Sequence, residues 1–292
     1  MSIFISIILA TIRQAAPILI TAIGGMFSEL TGIVNIGLEG MMLMGAFSAA
    51  VVSYYTGSPY IGILGGMIAG GIMALLHAIL SIKYKGNQVV SGVAINLFAS
   101  GFTVFMLRVL FNQSGNTPTV PKTATIFGMS IIVFIIYAIA FASHWFIYKT
   151  VWGLRMRAVG EHPLAADTVG INVLKVRYFG VVMSGLLAGL GGAYLSIGAL
   201  SQFTKEMSAG RGFIALAALV FGKWTPGGVL GASLLFGFAD AGQTLIQQYV
   251  TGIPPQFIQM LPYILTLLAL AGVVGKAVAP ASSGKPYDKS DS

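Results

Sequence analysis

The 292 residues include no cysteine, so neither a disulfide framework nor a thiolate metal site can be built from them. Charge is almost as scarce. Only 8% of the residues are Asp, Glu, Lys or Arg, against about 25% in ordinary soluble domains. By contrast 56% are hydrophobic and the mean hydropathy is +0.88, so the chain reads as an integral membrane protein. There are 3 histidines, and His77 lies near the end of an apolar run with no carboxylate nearby, so a structural role suits it better than a metal site. No catalytic arrangement emerges: Gly-x-Ser-x-Gly, His-Glu-x-x-His and Gly-x-x-x-x-Gly-Lys-Ser/Thr are all missing, and Gly222-Lys223 is followed by Trp224. The chain is not expected to hydrolyse ATP by itself.

What fills the sequence instead is apolar runs. Crossing a hydrocarbon core of ~30 Å takes ~20 helical residues, and runs of that order lie at 12–28, 32–55, 60–82, 88–111, 129–149, 176–202, 229–250 and 257–278. They are continuous rather than alternating, which predicts helices and not barrel strands. Residues 211–222 are apolar but short for a full crossing and read as a broken or re-entrant helix. The fold class is therefore an all-α polytopic membrane protein with about 8–10 transmembrane helices. One membrane domain covers 1–281, and the polar tail 282–292 reads as disordered.

The net charge of +8 follows from the placement of basic residues. Lys83 and Lys85, the group Lys149, Arg155, Arg157, Lys175 and Arg177, then Lys223, and finally Lys276, Lys285 and Lys289 share the cytoplasmic face if 211–222 returns the chain inward. The N-terminus then lies outside and the C-terminus inside. Residues 150–175 form a cytoplasmic loop, and 112–128, with the single Lys122, faces outward. Arg13 can be placed by snorkelling toward the interface. No basic region precedes Ile3, so the first residues read as part of the mature chain rather than a signal peptide.

Glycine is abundant, 38 in all. Clusters such as Gly65-Gly66, Gly70-Gly71 and Gly189 with Gly191 and Gly192 predict helix backbones in close contact. The stretch PYIGILG from Pro59 echoes PGGVLG from Pro226, and the two copies run in opposite directions through the membrane, as in an inverted repeat. Shared Gly- and Leu-rich composition is the alternative source of that echo.

Polar groups within the apolar runs are few: Glu29, Glu39, His77, Asn96, Arg108, Asp240 and Gln243. Such groups face a bundle interior or a wet cavity. Asn35 and Glu39, four apart, are expected to share a helix face. They either line a polar path or fix a kink through an internal hydrogen bond, and Asp240 and Gln243 admit the same two roles. Phe98, Phe102 and Phe105 follow helical spacing beside Asn96, and either stack on a planar ring or meet lipid and neighbouring helices.

One island departs from this pattern. Residues 153–171, GLRMRAVGEHPLAADTVGI, combine clustered charge with helix-forming alanines between apolar segments. Glu161 and Pro163 open a short helix, Leu164-Ala165-Ala166 continue it, and Gly170 stops it. A short cytoplasmic helix bracketed by basic residues suits a groove of another protein; the alternative is a solvated loop held near the membrane by charge.

EHPLAADTVGI from Glu161 resembles the coupling-loop motif of ABC importer permeases, whose short helix docks on an ATPase subunit. GLRMRAVG from Gly153, GIVNIGLEGMMLMGA from Gly32 and GRGFIALAALVFGKWTPGG from Gly210 resemble the branch that includes sugar, branched-chain amino acid and nucleoside permeases. The 35–39 block is most similar to bacterial nucleoside uptake permeases. The resemblance implies a non-enzymatic transport subunit in the bacterial cell membrane, carrying no cofactor of its own. Its implied partners are a second, related permease in a heterodimer, an ATPase holding ATP and Mg, and an extracellular lipoprotein that delivers a purine or pyrimidine nucleoside. Arg155, Arg157, Glu161, Pro163, Ala165, Ala166 and Gly170 would couple to the ATPase. A nucleoside is neutral, planar and rich in hydroxyls, so amides and aromatics suit it. The expected pathway residues are Asn35, Glu39, Asn96, Phe98, Asp240 and Gln243. A permease for a simple sugar or a branched-chain amino acid, and an ion-coupled carrier using Glu39 and Asp240, are the competing readings.

Overall fold

The computed structural model describes residues 3–249, 260, 264 and 277–288. Among the described residues the chain forms ten α-helices: α1 (Ile3–Glu29), α2 (Leu38–Thr56), α3 (Pro59–Ala78), α4 (Gln88–Phe111), α5 (Ile131–Lys149), α6 (Val151–Glu161), α7 (Pro163–Thr168), α8 (Val173–Ala193), α9 (Arg211–Phe221) and α10 (Pro226–Tyr249). Wider π-turns prolong α3 to Lys83 and α8 to Ala199, and a two-stranded hairpin pairs β1 (Thr125–Ile126) with β2 (Met129–Ser130). The helix starts are written locally. Pro59 opens α3 and Pro226 opens α10, while the Asn87 side chain accepts from Val89 N and Val90 N to cap α4.

Six of the described helices are long and apolar enough to cross a membrane: Ile5–Glu29, Pro59–Lys83, Gln88–Phe111, Ile131–Lys149, Val173–Ala199 and Pro226–Gln247. The 19-residue α2 stands among them, against α3, α4, α8 and α9. The expected run 88–111 coincides with α4, and 211–222 is the short α9. The expected run 257–278 falls almost entirely outside the described residues.

α8 is the hub. In its 18-residue apolar stretch 83% of the residues are buried, against 22% for that of α4 and 33% for that of α5, so the last two turn broad apolar faces outward. Lipid is as apolar as leucine, so helices in a membrane are held by close packing rather than by escape from water. The glycines supply that closeness. A Cβ on Gly45 of α2 would fall 2.5 Å from Gly189 Cα of α8, one on Gly66 of α3 2.7 Å from the Gly45 carbonyl oxygen, and one on Gly70 2.9 Å from Gly189 Cα. Three backbones therefore meet without intervening side chains, as the glycine clusters predict.

The two ends of the bundle are distinct. At one end, the α7 face, the described tail lies on the ends of α6 and α1: Ser282 N donates to Gly160 O (2.9 Å) and Gly284 N to Gly32 O (3.1 Å). At the opposite end the 112–124 loop runs beside the stretch after α8, with Thr117 N donating to Phe203 O (2.9 Å) and Val120 N to Ser201 O (2.8 Å). The N-terminal end of α1 belongs to this second end, where Tyr194 Oη donates to Arg13 O (3.1 Å).

The bundle interior is shaped by two departures from helix. The expected span 32–55 does not begin at 32. Residues 30–37 form a turn in which Gly32 takes φ +91, Ser28 Oγ donates to Ile33 O (2.7 Å), and the Asn35 side chain accepts from Gly37 N (3.1 Å). Asn35 therefore precedes α2 and, contrary to the expectation from spacing, does not share a helix face with Glu39. The apolar run Ile33-Val34 hid the break. The chain likewise leaves helix after Ala199 and resumes it at Arg211. α9, at ~1.5 Å per residue, is about 16 Å long and covers about half of a ~30 Å core. Its far end reaches the α7 face, where Trp224 Nε1 donates to Glu29 Oε2 at 2.6 Å.

Long helix, break, interior helix start, proline-opened helix: this order occurs in α1–α2–α3 and again in α8–α9–α10. The first unit runs toward the α7 face through α1 and the second away from it through α8, so the two units run in opposite directions. The tail also differs from expectation. Residues 282–288, expected to be disordered, hold defined hydrogen bonds.

Candidate functional site

The breaks after α1 and α8 bring the starts of α2 and α9 together inside the bundle. A helix start leaves N–H groups without partners, which is costly where water is excluded. Gly210 turns into α9 with φ +81, and Glu39 supplies the acceptors: Oε1 takes Gly210 N at 2.9 Å and Oε2 takes Gly212 N at 2.6 Å. Glu39 itself lies in the first turn of α2, so one carboxylate answers the positive ends of two helices. A Cβ on Gly212 would fall 2.5 Å from Glu39 Cα, so the two starts touch through glycine.

Amides frame this junction. Asn96 of α4 accepts from Gly40 N (2.8 Å) and donates to Ile36 O (3.0 Å). Asn35, fully buried, donates to Ser184 Oγ of α8 at 2.5 Å. His77 bridges Ser91 Oγ (2.9 Å) and Val34 O (3.0 Å), the structural role expected of it. Asn35, Glu39 and Asn96 are thus brought together, each engaged in internal hydrogen bonds. Asp240 and Gln243 stand half-buried on α10, and Arg211, the first residue of α9, lies within electrostatic reach of Asp240. Phe98 is not part of the cluster. It is 51% exposed, stacks on Phe102 at 5.3 Å, and lines a shallow apolar groove with Met73, Leu76 and Leu80.

A cavity of about 500 Å³ lies at the opposite end, outside the expected site; Arg13, Gln14, Lys122, Ser130, Tyr194 and Thr244 are among its lining residues. Arg13 was the one signal for it, but its companions come from other elements and no local spacing joins them.

The second cluster is the α7 face. α6 ends at Glu161, His162 breaks the helix with φ −137 and ψ 81, and Pro163 opens the six-residue α7. Gly170 takes φ +84 just beyond its end, where Gly170 N donates to Asp167 O (2.9 Å) and Ile171 N to Ala166 O (3.0 Å). Glu161, Ala165 and Gly170 are exposed, Pro163 is half-buried and Ala166 is packed inward. Arg155 and Arg157 belong to α6, over the rings of Trp152 (5.8 Å) and Tyr148 (5.2 Å) respectively. Val169, 75% exposed, adds an apolar side chain to this face that the charge pattern did not single out.

Residues 7–270 match the family described as branched-chain amino acid transport system / permease component. The chain belongs to this permease family. It is 44% identical to the guanosine ABC transporter permease protein NupQ of Bacillus subtilis, over 97% of this chain and 96% of the relative. It is 40% identical to the nucleoside ABC transporter permease protein NupC of Lactococcus lactis, over 94% of each. A putative glucose ABC transporter permease protein of Haloferax volcanii, TsgC13, is 36% identical over 84% of this chain and 79% of the relative. The same two bacteria hold second, less similar permease proteins, NupP at 27% and NupB at 26%. In a permease, irregular backbone at membrane depth is tolerated where it is buried in protein or lines a cavity, and the break at the fully buried Asn35 meets the first condition. The permease also presents α7 as a short, hinged and largely exposed helix.

Proposed function

We propose that this permease is the membrane-spanning subunit of an ATP-driven importer of nucleosides, energised by a separate ATPase that docks on α7. The observation that carries the reading is the likeness, at 44% and 40% identity over nearly the whole chain, to permease proteins named for guanosine and nucleosides. Lys83, Lys85, Lys149, Arg155, Arg157, Lys175, Lys223 and Lys285 gather toward the α7 face, which supports the reading of that face as cytoplasmic and of the N-terminus as outside. The paired permease proteins of the two bacteria support a heterodimer.

ATP and Mg bind the ATPase, whose closure moves α7; the bundle opens toward a nucleoside delivered by an extracellular lipoprotein, and hydrolysis resets it. Glu161, Ala165, Val169 and Gly170 form the exposed docking surface. Asn35, Glu39 and Asn96 hold the joint at which the half-helices turn. Asp240 and Gln243 are the residues offered to substrate, since Phe98 faces outward and the two asparagines are engaged. A simple-sugar permease is the second reading, favoured by the 36% identity to TsgC13.

Uptake of radiolabelled guanosine and adenosine into cells lacking this chain, before and after restoring it, tests the substrate class, with glucose, ribose and leucine as controls. Nucleoside uptake is expected to be lost and recovered selectively. Unchanged nucleoside uptake beside lost sugar uptake would move the chain to the second reading.

A further inference from the structure

α7 is six residues long and hinged at both ends, by the break at His162 and the left-handed Gly170. The described helices it packs against are α6 and α8. A helix so mounted swings on its hinges when pushed, and passes little of that motion onward unless something else ties it down.

Residues 281–288 make such a tie. Ser282 N donates to Gly160 O at 2.9 Å and Ser282 Oγ to the same oxygen at 2.6 Å, so the tail caps carbonyls at the end of α6. Ala281 N reaches Glu161 Oε2 at 3.4 Å. Gly284 N donates to Gly32 O (3.1 Å) just past α1. Arg177 of α8 donates from Nη1 to Lys285 O (3.1 Å) and lies over the Tyr287 ring at 5.9 Å. Tyr287 is in turn within electrostatic reach of Asp167 on α7. Asp288 pairs with Lys85 in the turn between α3 and α4.

The attachment at Arg177 is the firmest. Arg177 is 1% exposed, and its Nε and Nη2 have no hydrogen-bond partner in the protein. The tail carbonyl and the Tyr287 ring are thus what answers a buried cation, so lifting the tail would leave that cation worse off. Gly32 is shaped to the same contact: a Cβ there would fall 2.5 Å from Ser282 Oγ and 3.0 Å from Arg177 Nη2.

We infer that residues 281–288 are a transmission strap, which makes α7, the end of α1, the start of α8 and the α3–α4 turn move as one body. Motion delivered to α7 then reaches both inverted units of the bundle. The inference rests on the reading of α7 as the ATPase-docking helix.

The absence of native cysteine allows a direct test. Spin labels at Ala165→Cys and Lys285→Cys, in the assembled transporter, are expected to give one narrow distance that is unchanged between nucleotide-free and ATP–vanadate states. A distance that broadens or shifts with nucleotide would overturn the strap. Transport is read in parallel on Ser282→Ala and on a chain ending at Ala281. The ATPase is expected to remain bound while nucleoside moved per ATP falls about fivefold, the scale of a lost hydrogen bond. Ser282→Thr, which keeps the hydroxyl, should stay near the parent. Unchanged transport per ATP in the two disruptive variants would also overturn the strap. If the ATPase does not bind the parent chain at all, the docking reading fails; if it binds and the label distance changes, the strap alone fails.

Discussion

Replacing Glu39 by alanine is expected to cut nucleoside uptake about tenfold or more, because two backbone N–H groups at the start of α9 lose their acceptors inside the bundle, at ~1–3 kcal/mol each. The positive ends of two helices are also left facing each other. Glu39→Gln keeps the volume and one acceptor oxygen but aims an NH₂ at the second donor, so an intermediate loss is expected. Glu39→Asp is shorter by a methylene and cannot hold both Gly210 N and Gly212 N. A reporter separates this from general unfolding. Ser208, two residues before Gly210, is fully buried, so Ser208→Cys should resist alkylation in the parent and react readily beside Glu39→Ala. Parent-like uptake, with Ser208→Cys still protected, would show that Glu39 is not what holds the half-helix in place.

The second large effect is structural. Gly45→Leu should remove the folded chain from the membrane fraction almost entirely, because the first atom of the new side chain would fall 2.5 Å from Gly189 Cα and 2.6 Å from its carbonyl oxygen. These are backbone atoms of the most buried span and cannot rotate aside, as a flexible side chain would. Overpacking in a yielding core costs ~1–3 kcal/mol, and here the only relief is to part α2 from α8. Gly101→Leu is the control. A Cβ at Gly101 of α4 meets nothing within 4 Å, so its accumulation should match the parent. Detergent extraction followed by size-exclusion chromatography reads both, and equal recovery of the two variants would refute the backbone-contact account of the α2–α3–α8 core.

Features set by local chemistry were legible in the sequence. The run 88–111 is α4 to the residue, since Asn87 caps its start and apolar residues fill it. The shortness of α9 and the packing glycines could also be read directly. Pro163 and Gly170 marked the start and stop of α7, although Glu161 proved to close α6 rather than open the next helix. Features that depend on distant partners were not legible. The break at 30–37 looks helical because Ile33, Val34 and Ile36 are apolar; what stops the helix is the left-handed Gly32 and the hydrogen bonds that Val34 and Asn35 make to Gln88 and Ser184.

The tail failed in the opposite sense. Its polarity resembles disorder, yet Ser282 is ordered by a contact with Gly160, 122 residues earlier in the chain. At the candidate site, Asn35, Glu39 and Asn96 stood out as polar groups within apolar runs, and all three make hydrogen bonds around the start of α2 or α9. The expectation that they line a path did not include the carboxylate's hold on α9, because nothing in the sequence near Glu39 points to Gly210. Phe98 followed the helical period of α4, but a period gives only relative faces, and this one turns outward.

The most direct test is nucleoside accumulation in proteoliposomes carrying this chain with the proposed second permease and ATPase, supplied with labelled guanosine and the proposed delivery protein. Accumulation is expected to require hydrolysable ATP, to stop with vanadate, and to be indifferent to sodium and proton gradients. Accumulation driven by an ion gradient without ATP would contradict the account and return Glu39 and Asp240 to the role of coupling carboxylates.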